Sequence, residues 1–134
     1  MRFMLDTNIC IYVIKKKPLD VFQKFSEYPV GEIGLSSVTV AGLFLGVLKS
    51  QNPEKNQSAL EDFLLPLTIL DFDYNSAMVY GAIRATLEKQ GTLIGPLDML
   101  ITAHAKSQDI TLVTNNTREF ARVPELKFEN WISD

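Results

Sequence analysis

Arg2-Phe3-Met4-Leu5-Asp6-Thr7-Asn8 is the stretch that decides the fold. A short apolar run ends abruptly in a carboxylate, and two helix-capping residue types follow it. This pattern predicts a strand that delivers an acid to a sheet edge and passes straight into a helix. In open α/β sheets ligands bind outside the carboxyl ends of the strands, where helix N-termini favour anionic groups. Asp6 is thereby placed to meet a metal or a phosphate. The plainer role open to it is to cap the following helix, which Thr7 and Asn8 could do in its stead.

Outward from this point, β-rich runs alternate with helical ones, the pattern of a parallel sheet covered by helices on both faces. The fold class expected is α/β, a three-layer α/β/α sandwich with a central, mostly parallel sheet. Strands are predicted at Arg2–Leu5, Ile33–Leu35, Leu67–Leu70 and Thr111–Val113, with a weaker one near Lys127–Glu129. Helices are predicted at Thr7–Ile14 and Leu19–Phe25, separated by Lys15-Lys16-Lys17-Pro18, because proline suits the first turn of a new helix. Others span Val38–Lys49 after Ser36-Ser37, Pro53–Leu64, Tyr74–Gln90 between Asp73 and Gly91, and Pro96–Ser107. Thr114-Asn115-Asn116-Thr117 turns the chain into a short helix holding Glu119 and Phe120.

At 134 residues, with 46% hydrophobic and 22% charged, the chain reads as one domain, residues 1–134, able to bury its own core. One cysteine, Cys10, and one histidine, His104, rule out an intramolecular disulfide and a four-ligand zinc site built from them. A reducing cytoplasm fits that usage. The longest apolar run, Val38 to Leu48, is too short to span a bilayer, so no membrane is expected as partner. A net charge of −3 argues against a general polyanion-binding surface. A nucleic-acid substrate would need cations to help hold it.

Asp98 lies in Ile94-Gly95-Pro96-Leu97-Asp98-Met99-Leu100-Ile101, the first turn of a helix. The helix dipole alone favours an acid there. Its apolar neighbours leave little room for a solvated face, so partial burial with a cation or donors is expected. Asn116 and Thr114 follow another strand on the same sheet edge as Asp6, where turn formation is their ordinary role. Gly42 and Gly46 sit inside the Val38–Lys49 helix, at about 1 kcal/mol each relative to alanine. Close packing against another element is the ordinary cause of such glycines; an absent functional side chain is the sharper one. Acids and amides converging from separate elements suit Mg²⁺ or Mn²⁺, which take oxygen ligands and support phosphodiester hydrolysis.

With these residues in view, the chain resembles the PIN-domain ribonucleases, and within them the VapC toxins of bacterial toxin–antitoxin pairs. The carriers are Phe3-Met4-Leu5-Asp6-Thr7-Asn8, Ser36-Ser37-Val38-Thr39, Ile94-Gly95-Pro96-Leu97-Asp98 and Val113-Thr114-Asn115-Asn116-Thr117-Arg118-Glu119-Phe120. In order, they cover nearly the whole length. The resemblance implies an Mg²⁺- or Mn²⁺-dependent endoribonuclease, with Asp6 and Asp98 as metal-binding carboxylates and Asn116 in a position that holds an acid or an amide. Thr7, Asn8, Thr114 and Glu119 would support them. It implies an RNA substrate, tRNA among the known targets, a homodimer, and a VapB-like antitoxin whose extended segment crosses a groove and places an arginine among the acids. Phe22, Phe25 and Leu43–Leu48 would offer that groove. Gly42 departs from the pattern, since the family carries a metal-site glutamate there.

Two further readings remain. A PIN-like module that binds antitoxin or RNA without turnover would follow from the missing side chain at Gly42. Thr68-Ile69-Leu70-Asp71-Phe72-Asp73 looks like the nucleophile motif of an aspartyl-phosphate phosphatase using Asp71, although Asp73 is better used as a helix cap. Lys15–Lys17, Arg84, Arg118 and Arg122 are available to steer an RNA backbone, with solvated surface charge as their default role. His104 is expected to be structural.

Overall fold

The computed structural model describes residues 1–132. Five strands form one parallel sheet in the order β3-β2-β1-β4-β5: β1 Phe3–Leu5, β2 Ile33–Ser36, β3 Thr68–Leu70, β4 Thr111–Val113 and β5 Phe128–Glu129. The helices are α1 Thr7–Lys15, α2 Leu19–Ser26, α3 Ser37–Leu48, α4 Pro53–Leu64, α5 Tyr74–Gln90, α6 Pro96–Ser107 and α7 Thr117–Phe120. The predicted strands and helices are all present with ends that differ by a residue or so, and a 3-10 turn at Val30–Glu32, not predicted, leads into β2. Pro18 stands just before α2 rather than inside its first turn.

The central strand explains the layering. Successive side chains on a strand point to opposite faces, so β1 feeds two cores at once. Met4 packs with Ile83 and Leu87 of α5, Met99 and Ile101 of α6, and Leu112 of β4. Phe3 and Leu5 pack on the other face with Ile9 and Val13 of α1, Val21 of α2, Leu43 of α3 and Leu60 of α4. All three β1 residues are fully buried. On β2, Gly34 is required by close approach: a Cβ there would run into the Met1 sulfur and come within 3.1 Å of the Thr68 carbonyl oxygen. β3, by contrast, is an edge strand with Thr68 and Ile69 exposed.

Because every strand runs the same way, Asp6, Ser37, Asp71 and Thr114 all emerge along one edge of the sheet. The register pairs Leu5 with Val113, so the residues that follow, Asp6 and Thr114, become neighbours. The Asp6 N–H donates to the Val113 carbonyl at 3.0 Å, which extends the ladder to the last residue before α1. No described helix is long and apolar enough to cross a membrane.

Candidate functional site

Asp6 is buried and does cap its helix: one carboxylate oxygen accepts the Ile9 N–H at 2.9 Å. Thr7 and Asn8 do not take over that role, so the structural and the chemical parts assigned to Asp6 fall on the same side chain. The Thr114 hydroxyl also hydrogen-bonds this carboxylate. Burial pushes the Asp6 carboxyl up, against the opposing pull of Thr114 and the N–H groups of Ile9 and Asn8. Thr114 is itself fully buried and accepts the Asn116 N–H at 3.0 Å, so its oxygen links Asp6 to the turn after β4.

Asp98 is half-buried in the first turn of α6, which Gly95 and Pro96 begin. Its carboxylate folds back over that turn, with Oδ2 3.5 Å from where a Cβ on Gly95 would sit. Burial, then the charge of Glu119, then that of Asp6 and a hydrogen bond with Glu119, push its pKa up to about 6. Glu119 is fastened by Asn116, whose Nδ2 donates to Glu119 Oε2 at 2.9 Å. Asp6, Asp98, Glu119, Asn116 and Thr114, drawn from β1, α6, α7 and the turn after β4, thus meet at one sheet edge.

The donor set is all oxygen, which suits a hard divalent cation. Among the described residues no three of His, Cys, Asp and Glu stand close enough to enclose an ion by themselves. An ion held by so few protein oxygens would have to keep several waters, as Mg²⁺ does.

Gly42 faces a different environment. It lines a cavity of about 350 Å³ together with Thr7, Ile11 and Lys15 of α1, Gly46 of α3 and Asn56 of α4. Nothing lies within 4 Å of a Cβ built on Gly42 or on Gly46. Close packing therefore does not explain these glycines, contrary to the ordinary expectation; they are the open floor of a groove. A second hollow continues beside it, lined by Phe22, Phe25 and Phe63. Thr7 belongs to the wall of the first cavity and so joins it to the acid at position 6.

His104 is fully buried, and its Nδ1 lies 2.7 Å from the Ser36 hydroxyl, which also accepts the Val38 N–H that starts α3. Burial pulls its pKa down against the charges of Asp73 and Asp71. This pairing spans 68 positions and has no local signal in the sequence. Cys10 is buried, and burial with the nearby Asp6 charge pushes its thiol well up, which leaves no reactive thiolate. Asp73 caps α5 by accepting from Ser76, and Asp71 follows the exposed edge strand two strands away from β1. The phosphatase motif therefore has its second acid occupied as a cap.

Comparison with known proteins bears on this arrangement directly. Residues 3–126 match the PIN domain model. Ribonuclease VapC2 of Haemophilus influenzae is 50% identical over 98% of this chain and 99% of its own length. The tRNA(fMet)-specific endonuclease VapC of Shigella flexneri is 47% identical, over 98% of each chain. DNA-bound VapBC from Salmonella typhimurium superposes with a TM-score of 0.93 at 42% identity, covering 98% of this chain and 99% of the other. VapBC2 from Rickettsia felis, bound to a promoter DNA fragment, does so at 0.91 and 43%, covering 98% and 100%.

Proposed function

Since this chain belongs to the PIN-domain family, among the VapC-type ribonucleases, we propose that its acid cluster holds Mg²⁺ or Mn²⁺ and cuts RNA phosphodiesters, with tRNA as the substrate. The observation that carries this is the convergence of Asp6, Asp98 and Glu119 from separate elements on one sheet edge, close enough that Glu119 hydrogen-bonds Asp98 and the charges of both neighbours act on it. Asp6 and Asp98 would hold the ion, and Asn116 would contribute its amide oxygen while its nitrogen keeps Glu119 in place. Bound there, the cation would supply Lewis-acid chemistry, polarising phosphoryl oxygens and making water a stronger acid. The protein's own part is to fix charge and direction. Thr114 orients the Asp6 carboxylate, the α1 N-terminus pins its other face, and Asp98 would meet the cation as the carboxylate, the form a metal ligand needs.

Gly42 favours a second reading for this particular chain, a PIN-like module that binds antitoxin or RNA but turns over weakly. Both readings take a VapB-like antitoxin as partner, and the solved relatives are VapBC assemblies. An extended antitoxin segment would lie in the cavity floored by Gly42 and Gly46 and continue past Phe22 and Phe25. A homodimer follows from the family resemblance, and exposed apolar side chains are available to it on α3, Leu45 and Leu48, and on α5, Tyr74 and Met78.

The deciding experiment incubates total tRNA with the chain and with Gly42→Glu, each with Mg²⁺ and with chelator. Chelator-sensitive cleavage by both supports the nuclease. Cleavage by Gly42→Glu alone supports the weakened module, and cleavage by neither sinks the enzymatic assignment.

A further inference from the structure

Three consecutive residues after β4 each reach for a different partner. Thr114 bonds the Asp6 carboxylate, and Asn116 donates to Glu119. Between them Asn115 turns toward α1 and donates its Nδ2–H to the Tyr12 phenolic oxygen at 3.2 Å, across 103 positions of sequence. The outer two ties end on acids of the site; the middle one ends on a side chain with no part in it so far.

We infer that Tyr12 is a positioning residue for the metal pocket: by holding Asn115 it fixes the turn after β4 against α1, so that Thr114 and Asn116 keep Asp6 and Glu119 in place. This rests on the metal-pocket reading proposed above.

The other ties of this turn close within it or end on the acids themselves. Asp6 caps α1 and Tyr12 lies within it, so the two share one rigid element. Side chains on a helix lean toward its N-terminus, which carries the phenol back toward the Asp6 end. β4 is locked to β1 by its register, and Thr114 N–H to the Glu129 carbonyl at 2.9 Å. Beyond Thr114 the turn has lost the sheet, and Asn115 makes the tie that crosses from it to α1. The Asn115 Oδ1 atom is buried without a hydrogen-bond partner, so no second contact sets that amide's orientation. If the amide is reversed, the Tyr12 hydroxyl donates to it instead and the link is kept. Remove the hydroxyl and a half-buried amide loses the partner that defined its rotamer, directly between the two residues that grip the acids.

The test is Mn²⁺ affinity of the whole chain, by calorimetry and by loss of the free-ion electron paramagnetic signal. The chains are the parent, Asp6→Asn, Tyr12→Phe, Asn115→Ala and the Tyr12→Phe/Asn115→Ala double variant. Expected are Mn²⁺ binding by the parent, its loss in Asp6→Asn, and a weakening of about tenfold in Tyr12→Phe, the scale of an outer-shell partner. The double variant should be no weaker than the worse single one, because the two residues form one link. Circular dichroism at the same temperature should be unchanged, so a general loss of folding cannot produce the shift. Tyr12→Phe affinity within about twofold of the parent, or losses that multiply in the double variant, would overturn the inference alone. A parent that binds no Mn²⁺ would overturn the metal reading and this inference with it.

Discussion

The acid cluster and the cavity beside it form two flanks built to opposite densities. Where β1 and β4 end, each polar group is tied to another: Asp6 to Ile9 and Thr114, Thr114 to Asn116, Asn116 to Glu119, and Glu119 to Asp98. In the cavity beside it, which Thr7 joins to Asp6, α3 presents Gly42 and Gly46 over empty space. The crowded side is set by sheet register, because pairing Leu5 with Val113 leaves Asp6 and Thr114 no other place to be. The bare side is set by residue choice alone. A substitution on the first flank therefore disturbs a network, whereas one on the second mostly adds what is absent.

The largest effect expected from this contrast is on the crowded flank. In a Gly42→Glu background, Asp6→Asn or Asp98→Asn should lower Mg²⁺-dependent tRNA cleavage by at least about a hundredfold, beyond what an outer-shell partner costs. Retained cleavage in either variant would remove that carboxylate from the chemistry. Gly42→Glu itself should raise cleavage and, since it replaces a glycine inside a helix with open space around it, stabilise the metal-loaded protein by about 1 kcal/mol. Chemical denaturation with and without Mn²⁺ measures this. A loss of stability with the metal present would mean that the groove is not open.

A third prediction concerns pH. The folded-state pKa of Asp98, about 6, lies above its ordinary value of 3.8. Between those values the folded chain holds more protons than the unfolded one, so stability falls as pH rises through that window and stays lower above it. The metal-free protein should then resist denaturant better near pH 5 than near pH 7 on this account, and Asp98→Asn should flatten that difference. Mn²⁺ should act in the reverse sense, binding more tightly as pH rises through 6 and releasing a proton below it. Following the Asp98 carboxyl carbon by NMR separates this titration from those of other groups. The smallest effect is that of Thr114→Val, which takes away one buried hydroxyl and leaves Asp6 and the Asn116 N–H short of a partner. A loss of about 1–2 kcal/mol in urea unfolding is expected, and an unchanged midpoint would detach Thr114 from the network.

The sequence discloses these flanks unequally, for physical reasons. β1 with Asp6 at its end, the Asp73 and Gly91 limits of α5, and Pro96 at the start of α6 are local matters of pattern and capping, and all stand where residue order places them. Half-burial of Asp98 was legible from its apolar neighbours. The bond between Asn116 and Glu119, three positions apart, lay within reach of a local reading, but the pressure of Glu119 on Asp98 joins separate elements and needs the folded chain. The same holds for His104 with Ser36. Gly42 misled in one respect: a helix glycine looks the same in sequence whether a neighbour crowds it or nothing does.

One more consequence follows from the strand order. β1 leaves the ribosome first but lies between β2 and β4, and Asp6 is not bounded by Val113 and Thr114 until the last quarter of the chain has emerged. A nascent polypeptide, synthesised from its N-terminus, therefore carries Asp6 through β2, β3 and the helices between them before the residues that align it exist. Completion of the acid cluster is deferred by topology until β4 and the turn that follows it have been made and paired.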